Sequence, residues 1–262
     1  MVFYIGAGKR ISAEDFADIA QKNDIDYAAL RAVCEIEARN SGFTSANALI
    51  CLYEPHIAYK YTSGTKRAAL IKAGLAYAKQ GEKPYPKTSY PNIDKCAAIA
   101  GEEVAALSTS WGLPQMMGFN HNACGYSTAL DMVKAFAASE YNQVEAMVQF
   151  IKATPAMYTA MKKRDWATFA KYYNGPAYAK NNYDNKLAVA YAKWLKNAPP
   201  AKEIPVAQMV EVEAPAPAKA VENFSSVNTT SKDIPDTPSV ALKTILGLIA
   251  NVFSNIFKSP KG

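Results

Sequence analysis

Glu37 is a carboxylate placed where an amphipathic helix should carry a hydrocarbon. Asp26 to Arg39 (DYAALRAVCEIEAR) has a helical pattern, and Leu30, Val33 and Cys34 precede Glu37 by seven, four and three residues, so the four share one face. Glu35 stands four residues from both Arg31 and Arg39, in a charged stripe that water and arginine can satisfy. The two acids therefore face opposite environments. A carboxyl pressed against apolar neighbours has its charged form disfavoured, which raises its pKa and lets it hold a proton near neutral pH. Such a group can act as a general acid; a carboxylate buried against an arginine, or capping a neighbouring helix, fits the same spacing. The pattern breaks at Asn40, Ser41, Gly42 and Phe43, which sets Glu37 at a helix end where a cleft can reach it.

A second cluster lies at Leu107 to Tyr126 (LSTSWGLPQMMGFNHNACGY), dense in small, aromatic and amide residues. Trp111 and Phe119 have faces that could stack on sugar rings, and Gln115 and Asn120 have amides that could bridge hydroxyl and acetamido groups. Farther on, Tyr173, Asn174, Gly175 and Pro176 follow a helix ending, where an Asn-Gly turn brings an amide to the helix mouth. Two further carboxylates are candidates to work with Glu37. Glu54 has His56 and an aromatic run beside it, and Glu103 shares an apolar helical face with Ile99, Ala100 and Leu107, a setting that also suits a buried structural pair.

These pieces resemble the N-acetylmuramidase family of phage endolysins, within the wider lysozyme-like superfamily of goose-type lysozymes and lytic transglycosylases. The matching segments are Ala32 to Phe43 (AVCEIEARNSGF), Leu49 to Tyr59 (LICLYEPHIAY), Ser108 to Tyr126 and Tyr173 to Tyr183 (YNGPAYAKNNY), in the family's order. The resemblance implies a mainly α, lysozyme-like fold, cleavage of the β-1,4 bond between N-acetylmuramic acid and N-acetylglucosamine in peptidoglycan, and Glu37 as the catalytic acid. It also implies a sugar groove lined by Trp111, Gln115 and Tyr173 with Asn174. His56, Ser110, Phe119 and Asn120 are further candidate substrate contacts, and Glu54 is the first candidate for a second carboxylate, with Glu103 another. A lytic transglycosylase, or a non-enzymatic protein that binds glycan and disturbs membranes, are the alternatives. The chain departs from the family at Ala38, where serine is usual, at Pro114, where a bulky apolar residue is usual, and at Pro55, where a basic residue is usual.

The elements that must position these groups read as helices. Ser12 with Asp15 opens one to about Gln21, and others are predicted over Lys66 to Lys79, Ile93 to Leu107, Thr128 to Ala138, Glu140 to Lys152, Ala156 to Lys163, Trp166 to Tyr173 and Asp184 to Lys196. Ala48 to Tyr61 is ambiguous, since Pro55 interrupts a helix and the aliphatic content permits a short strand, while Lys83 to Asn92, with three prolines, reads as a loop. The fold class is thus mainly α with at most a small β region.

The chain divides by composition. Residues 1–198 hold 23 Lys or Arg against 17 Asp or Glu and residues 199–262 hold 6 against 6, so the whole excess of +6 sits on the first part. That balance suits a polyanionic partner, among them nucleic acid, a membrane surface or a cell-wall polymer with peptide carboxylates; peptidoglycan, and no nucleic acid, is the partner the resemblance implies, with the protein a monomer. Residues 199–238 are Pro/Ala-rich and too poor in large apolar side chains to build a core, which predicts a flexible linker. Within 239–262, Lys243, Gly247, Asn251, Asn255 and Lys258 trace a narrow polar stripe on an otherwise apolar helix. Residues 240–258 therefore read either as an interfacial membrane helix or as one that docks on the domain or self-associates. Cys34, Cys51, Cys96 and Cys124 have no C-x-x-C pair and read as buried free thiols. His121 and Cys124 have half-site spacing, but His56 is the only other histidine, so neither a metal nor a cofactor is expected. The N-terminal MVFYIGAGKR lacks the pattern of a secretory signal, which fits a phage protein released from the host cytoplasm to the cell wall, or carried in a virion.

Overall fold

In the computed structural model the described residues are 2–37, 41–176 and 178–197; the linker at 199–238 and the helix at 239–262 lie outside them. The described part is mainly helical with a small antiparallel sheet. Ser12 caps α1 (Ala13–Lys22) through a reciprocal box with Asp15, which satisfies two of the helix's free amides. α2 (Tyr27–Glu37) is the central helix, burying Ala28, Ala29, Leu30, Ala32, Val33 and Cys34. A helix buried on so much of its circumference needs small residues to let neighbours approach, and its alanines provide them. α1 and α11 (Tyr183–Lys196) both pack on it.

Between them the chain forms β1 (Cys51–Tyr53), α3 (Pro55–Lys60) and α4 (Gly64–Lys72). Pro55 resolves the ambiguity of its segment by doing two things: it closes the strand and starts a helix at its first position, where a missing amide hydrogen costs nothing. α4 ends at Lys72, short of the predicted Lys79, because the chain turns at Gly74 with φ of +72°. The predicted helix Ile93 to Leu107 is two helices, α5 (Tyr90–Ala100) and α6 (Glu102–Leu107). Gly101 separates them at φ 104°, ψ 154°, a backbone region essentially reserved for glycine.

β2 (Thr109–Trp111) pairs with β1, setting Leu52 opposite Ser110, and with β3 (Met116–Met117), setting Ser110 opposite Met117. A 3₁₀ turn, Gly118–Asn120, follows. Gly118 is required there, since a Cβ would sit 1.9 Å from the Ala106 carbonyl oxygen. α7 (Ala129–Ala138) and α8 (Glu140–Lys152) are capped by Thr128 and Ser139, and α9 (Pro155–Lys163) begins on a proline. α10 (Trp166–Tyr173), capped by Asp165, packs on α9 and α11. Leu30, Val33, Leu49, Trp111, Phe136 and Phe169 belong to one continuous core cluster.

Candidate active site

Glu37 is the last described residue of α2. Its carboxylate is partly buried, and burial pushes its pKa up to about 7 against the weaker opposing effects of an Asn174 hydrogen bond and the positive charge of Lys186. Asn174 Nδ2 donates to Glu37 Oε1 at 2.8 Å. That amide is delivered by the end of α10: Asn174 is its C-terminal cap, with its own amide hydrogen bonded to the Ala170 carbonyl, and Gly175 at φ 82° turns the chain away. Glu35, two residues earlier, has the opposite fate. It accepts from Lys193 Nζ at 2.9 Å and Trp194 Nε1 at 2.7 Å, and the Lys193 bond, first among the causes, holds it below the usual carboxylate range.

Tyr173 stands beside Glu37 but belongs to the core, its ring stacked on Phe169 at 5.5 Å. Burial, reinforced by the Glu37 charge, raises its hydroxyl well above the ordinary tyrosine value. Tyr183, at the start of α11, is raised by burial and then by the same charge. The immediate surroundings of Glu37 are thus Tyr173 and Asn174 from α10 with Tyr183 and Lys186 from α11. Tyr183 and Lys186 were not anticipated; their spacing of three at a helix start is the signal that puts both on one face.

The segment expected to line a sugar groove is mostly interior. Trp111 is fully buried, and its Nε1 donates to the Ala106 carbonyl at 2.9 Å. No face remains for a sugar, because β2 is the middle strand and all three of its residues are buried. Ser110 is likewise fully buried. Gln115, at a left-handed φ of 48°, donates to the Gly112 carbonyl at 2.7 Å and the Ile50 carbonyl at 3.3 Å, so its amide nitrogen braces the β2–β3 turn. Asn120 is buried against Met116 sulfur. Of this group Phe119 alone keeps a partly open ring, stacked on the exposed Tyr61 at 6.1 Å.

The other two carboxylates are structural hubs. Glu54 is buried at the start of α3 and accepts from the Tyr85 hydroxyl at 2.6 Å, with His56 Nδ1 at 3.3 Å. Among the described residues no hydrogen bond links it to Glu37, and no carboxylate contributes to the Glu37 pKa. Glu103 accepts from the amides of Ala129 and Leu130 at 3.0 and 2.9 Å, which makes it a cap on the start of α7. His121 Nδ1 faces the Tyr126 carbonyl at 3.0 Å, and all four cysteines are free thiols. A cavity of about 470 Å³ opens beside the charged stripe of α2, lined by Arg10, Phe16, Arg31, Glu35, Glu140 and Trp194, and does not include Glu37.

Two comparisons with known proteins return a match. The N-acetylmuramidase family profile matches residues 26–195. Among solved structures, the crystal structure of the Burkholderia AP3 phage endolysin is similar, with a TM-score of 0.66 and 35% sequence identity over 72% of this chain and 73% of that one. No curated protein matches.

Proposed function

The chain belongs to the N-acetylmuramidase family, and from that footing we propose that it is a bacteriolytic phage endolysin cleaving the β-1,4 bond between N-acetylmuramic acid and N-acetylglucosamine, with Glu37 as general acid. The broader role, hydrolysis of peptidoglycan by a glycosidase, follows from the family and its structural neighbour. The observation that carries the finer reading is the state of Glu37: a carboxyl on α2 raised to about 7, with one neutral hydrogen-bond donor and one nearby cation. At neutral pH such a group is protonated about half of the time, so it can give a proton and then be restored. Protonation of the bridging oxygen lets the C1–O bond break as positive charge spreads over C1 and the ring oxygen. The carboxylate left behind is held by the Asn174 amide and favoured by Lys186; water then bonds to C1 and releases a proton to solvent, from which Glu37 is reprotonated.

One observation favours a second reading. With no carboxylate among the groups that perturb Glu37, the acid works without a second carboxylate among the described residues, which is also the arrangement of a lytic transglycosylase, where the muramic 6-hydroxyl attacks C1 in place of water. Product chemistry separates the two: a reducing N-acetylmuramic acid end marks hydrolysis and a 1,6-anhydro end marks transglycosylation. Glu37→Gln removes the proton while keeping shape, so it abolishes either cleavage. Continued release of sugar ends by that variant would sink the assignment of Glu37.

The role of the tail is a separate part of the proposal. Residues 1–198 form the catalytic domain, 199–238 tether it, and 239–262 supply a helix that meets a membrane surface through residues 240–258. Among the described residues no helix is long and apolar enough to cross a membrane.

A further inference from the structure

The +6 excess of residues 1–198 is carried by one stretch. Lys60 to Lys95 holds 8 Lys or Arg against 2 Asp or Glu, and the remainder of residues 1–198 is balanced at 15 against 15. In the fold this stretch runs from the end of α3 through α4 and the loop at 73–89 into α5, elements other than the α2, α10 and α11 that surround Glu37. α4 buries Leu70 alone, so most of its surface faces water. Lys66 donates to the Ala100 carbonyl at 3.2 Å, and Arg67 lies over the Tyr59 ring at 4.4 Å. Lys72, Lys79, Lys83, Lys87 and Lys95 are exposed, and among the described residues no carboxylate lies within ion-pair distance of any of the eight cations. Elsewhere the pattern reverses, with Lys22, Lys162, Arg164 and Lys193 each paired to an acid.

Like charges gathered on one lobe repel one another, a cost that the fold keeps. Their identity narrows the partner. Seven of the eight are lysine, a point charge on a flexible stem that suits anions which are many and unaligned, whereas a single fixed anion is better met by the arginine fork. Tyr61 and Ile71 are the exposed large apolar residues of the stretch, too few to bury a face in lipid. The glycan of peptidoglycan is built of neutral N-acetylated sugars, and its repeating anions are the carboxylates of the stem peptides. Resting on the reading of this chain as a muramidase, we propose that the lobe from Lys60 to Lys95 docks on the free carboxylates of those stem peptides, a contact separate from the sugar contacts at Glu37. The peptide is then part of what the protein recognises: strands whose stems keep their carboxylates are held, and strands with amidated stems are released.

The test is binding with cleavage switched off. The full chain carrying E37Q is co-sedimented with purified insoluble peptidoglycan at low ionic strength, alone and with K72Q, K79Q, K87Q and K95Q added together. At about twofold for each exposed contact, the four substitutions are expected to weaken binding roughly tenfold, and the loss is expected to shrink as salt is raised. Peptidoglycan whose carboxyl groups have been converted to primary amides is expected to bind the parent roughly tenfold more weakly and to show no further loss on the four substitutions. Unchanged affinity of the substituted protein for untreated peptidoglycan overturns the proposal, and so does an equal loss on both substrates. A loss of the same size on phosphatidylglycerol vesicles also overturns it, since the lobe would then read any anionic surface. With Glu37 restored, the four substitutions are expected to raise KM and to leave the alkaline midpoint of kcat/KM in place; a moved midpoint would put these lysines in the surroundings of the acid and overturn the separation of the two contacts. Failure of the muramidase reading itself looks different, since the wild-type protein would then release no sugar ends from peptidoglycan, whatever its affinity.

Discussion

At Glu37 burial works against one hydrogen bond and one charge, and burial wins. The rate should follow the protonated form, so kcat/KM is expected to fall with a midpoint near pH 7 on its alkaline side, read from a pH series on purified peptidoglycan. Lys186 opposes the rise, so Lys186→Met is expected to move that midpoint to higher pH; a midpoint that stays or falls contradicts the arrangement. Stability carries the same signature with a definite sign. A carboxyl raised in the folded state costs nothing below its ordinary value of 4.5, and the penalty grows as pH rises to about 7. Glu37→Gln removes that penalty. The expected gain at pH 8 is about 2 kcal/mol, less than the ~3 kcal/mol set by 1.36 kcal/mol per pKa unit because the carboxyl keeps a solvent edge. Denaturant titration at pH 4 and pH 8 measures it, and an equal effect at both values would contradict the burial account. The inward position of Glu37 was legible from Leu30, Val33 and Cys34. Its partners were less so: Asn174 could be anticipated beside a groove, but that its amide reaches Glu37 depends on how α10 ends.

The helices themselves were read well where the pattern is clear: the Ser12 cap with Asp15 marked the start of α1, and α8 and α10 were placed without the caps that the structure gives them at Ser139 and Asp165. The errors have local causes. Gly101 sits inside an otherwise continuous helical pattern, and only its positive φ reveals a break. Gly101→Ala is expected to cost about 1–3 kcal/mol by forcing a side chain into a glycine-only backbone region, seen as a lower Tm. Trp111 misled for another reason. Aromatic and amide residues in a glycine-rich run look the same whether the run lines a groove or forms the middle of a small sheet, and strand pairing, absent from local pattern, decides it. Glu103 is the opposite case, since its apolar face fits a structural role and its oxygens cap α7. Glu103→Ala is expected to destabilise by about 1–2 kcal/mol while leaving the pH dependence of kcat/KM unchanged; a displaced alkaline midpoint would return Glu103 to the reaction.

For the whole chain, two parts have separable tasks in this account. The domain up to residue 198 contains Glu37, Asn174 and Lys186, and the segment beyond it was read from composition and stripe pattern alone. Deleting Ser239 to Gly262 is expected to spare activity on purified peptidoglycan and to reduce lysis of intact outer-membrane bacteria; equal lysis by both forms would retire a membrane role for the tail. The +6 charge of the first part suits a wall carrying peptide carboxylates and adds nothing to bond choice. Bond choice is settled by products, which makes mass spectrometry of the soluble fragments released from purified peptidoglycan the most direct measurement. The account expects fragments with reducing N-acetylmuramic acid ends from the wild-type protein and none from Glu37→Gln. Anhydro ends would replace hydrolysis with transglycosylation, and fragments released equally by the glutamine variant would contradict the claim that Glu37 is the acid.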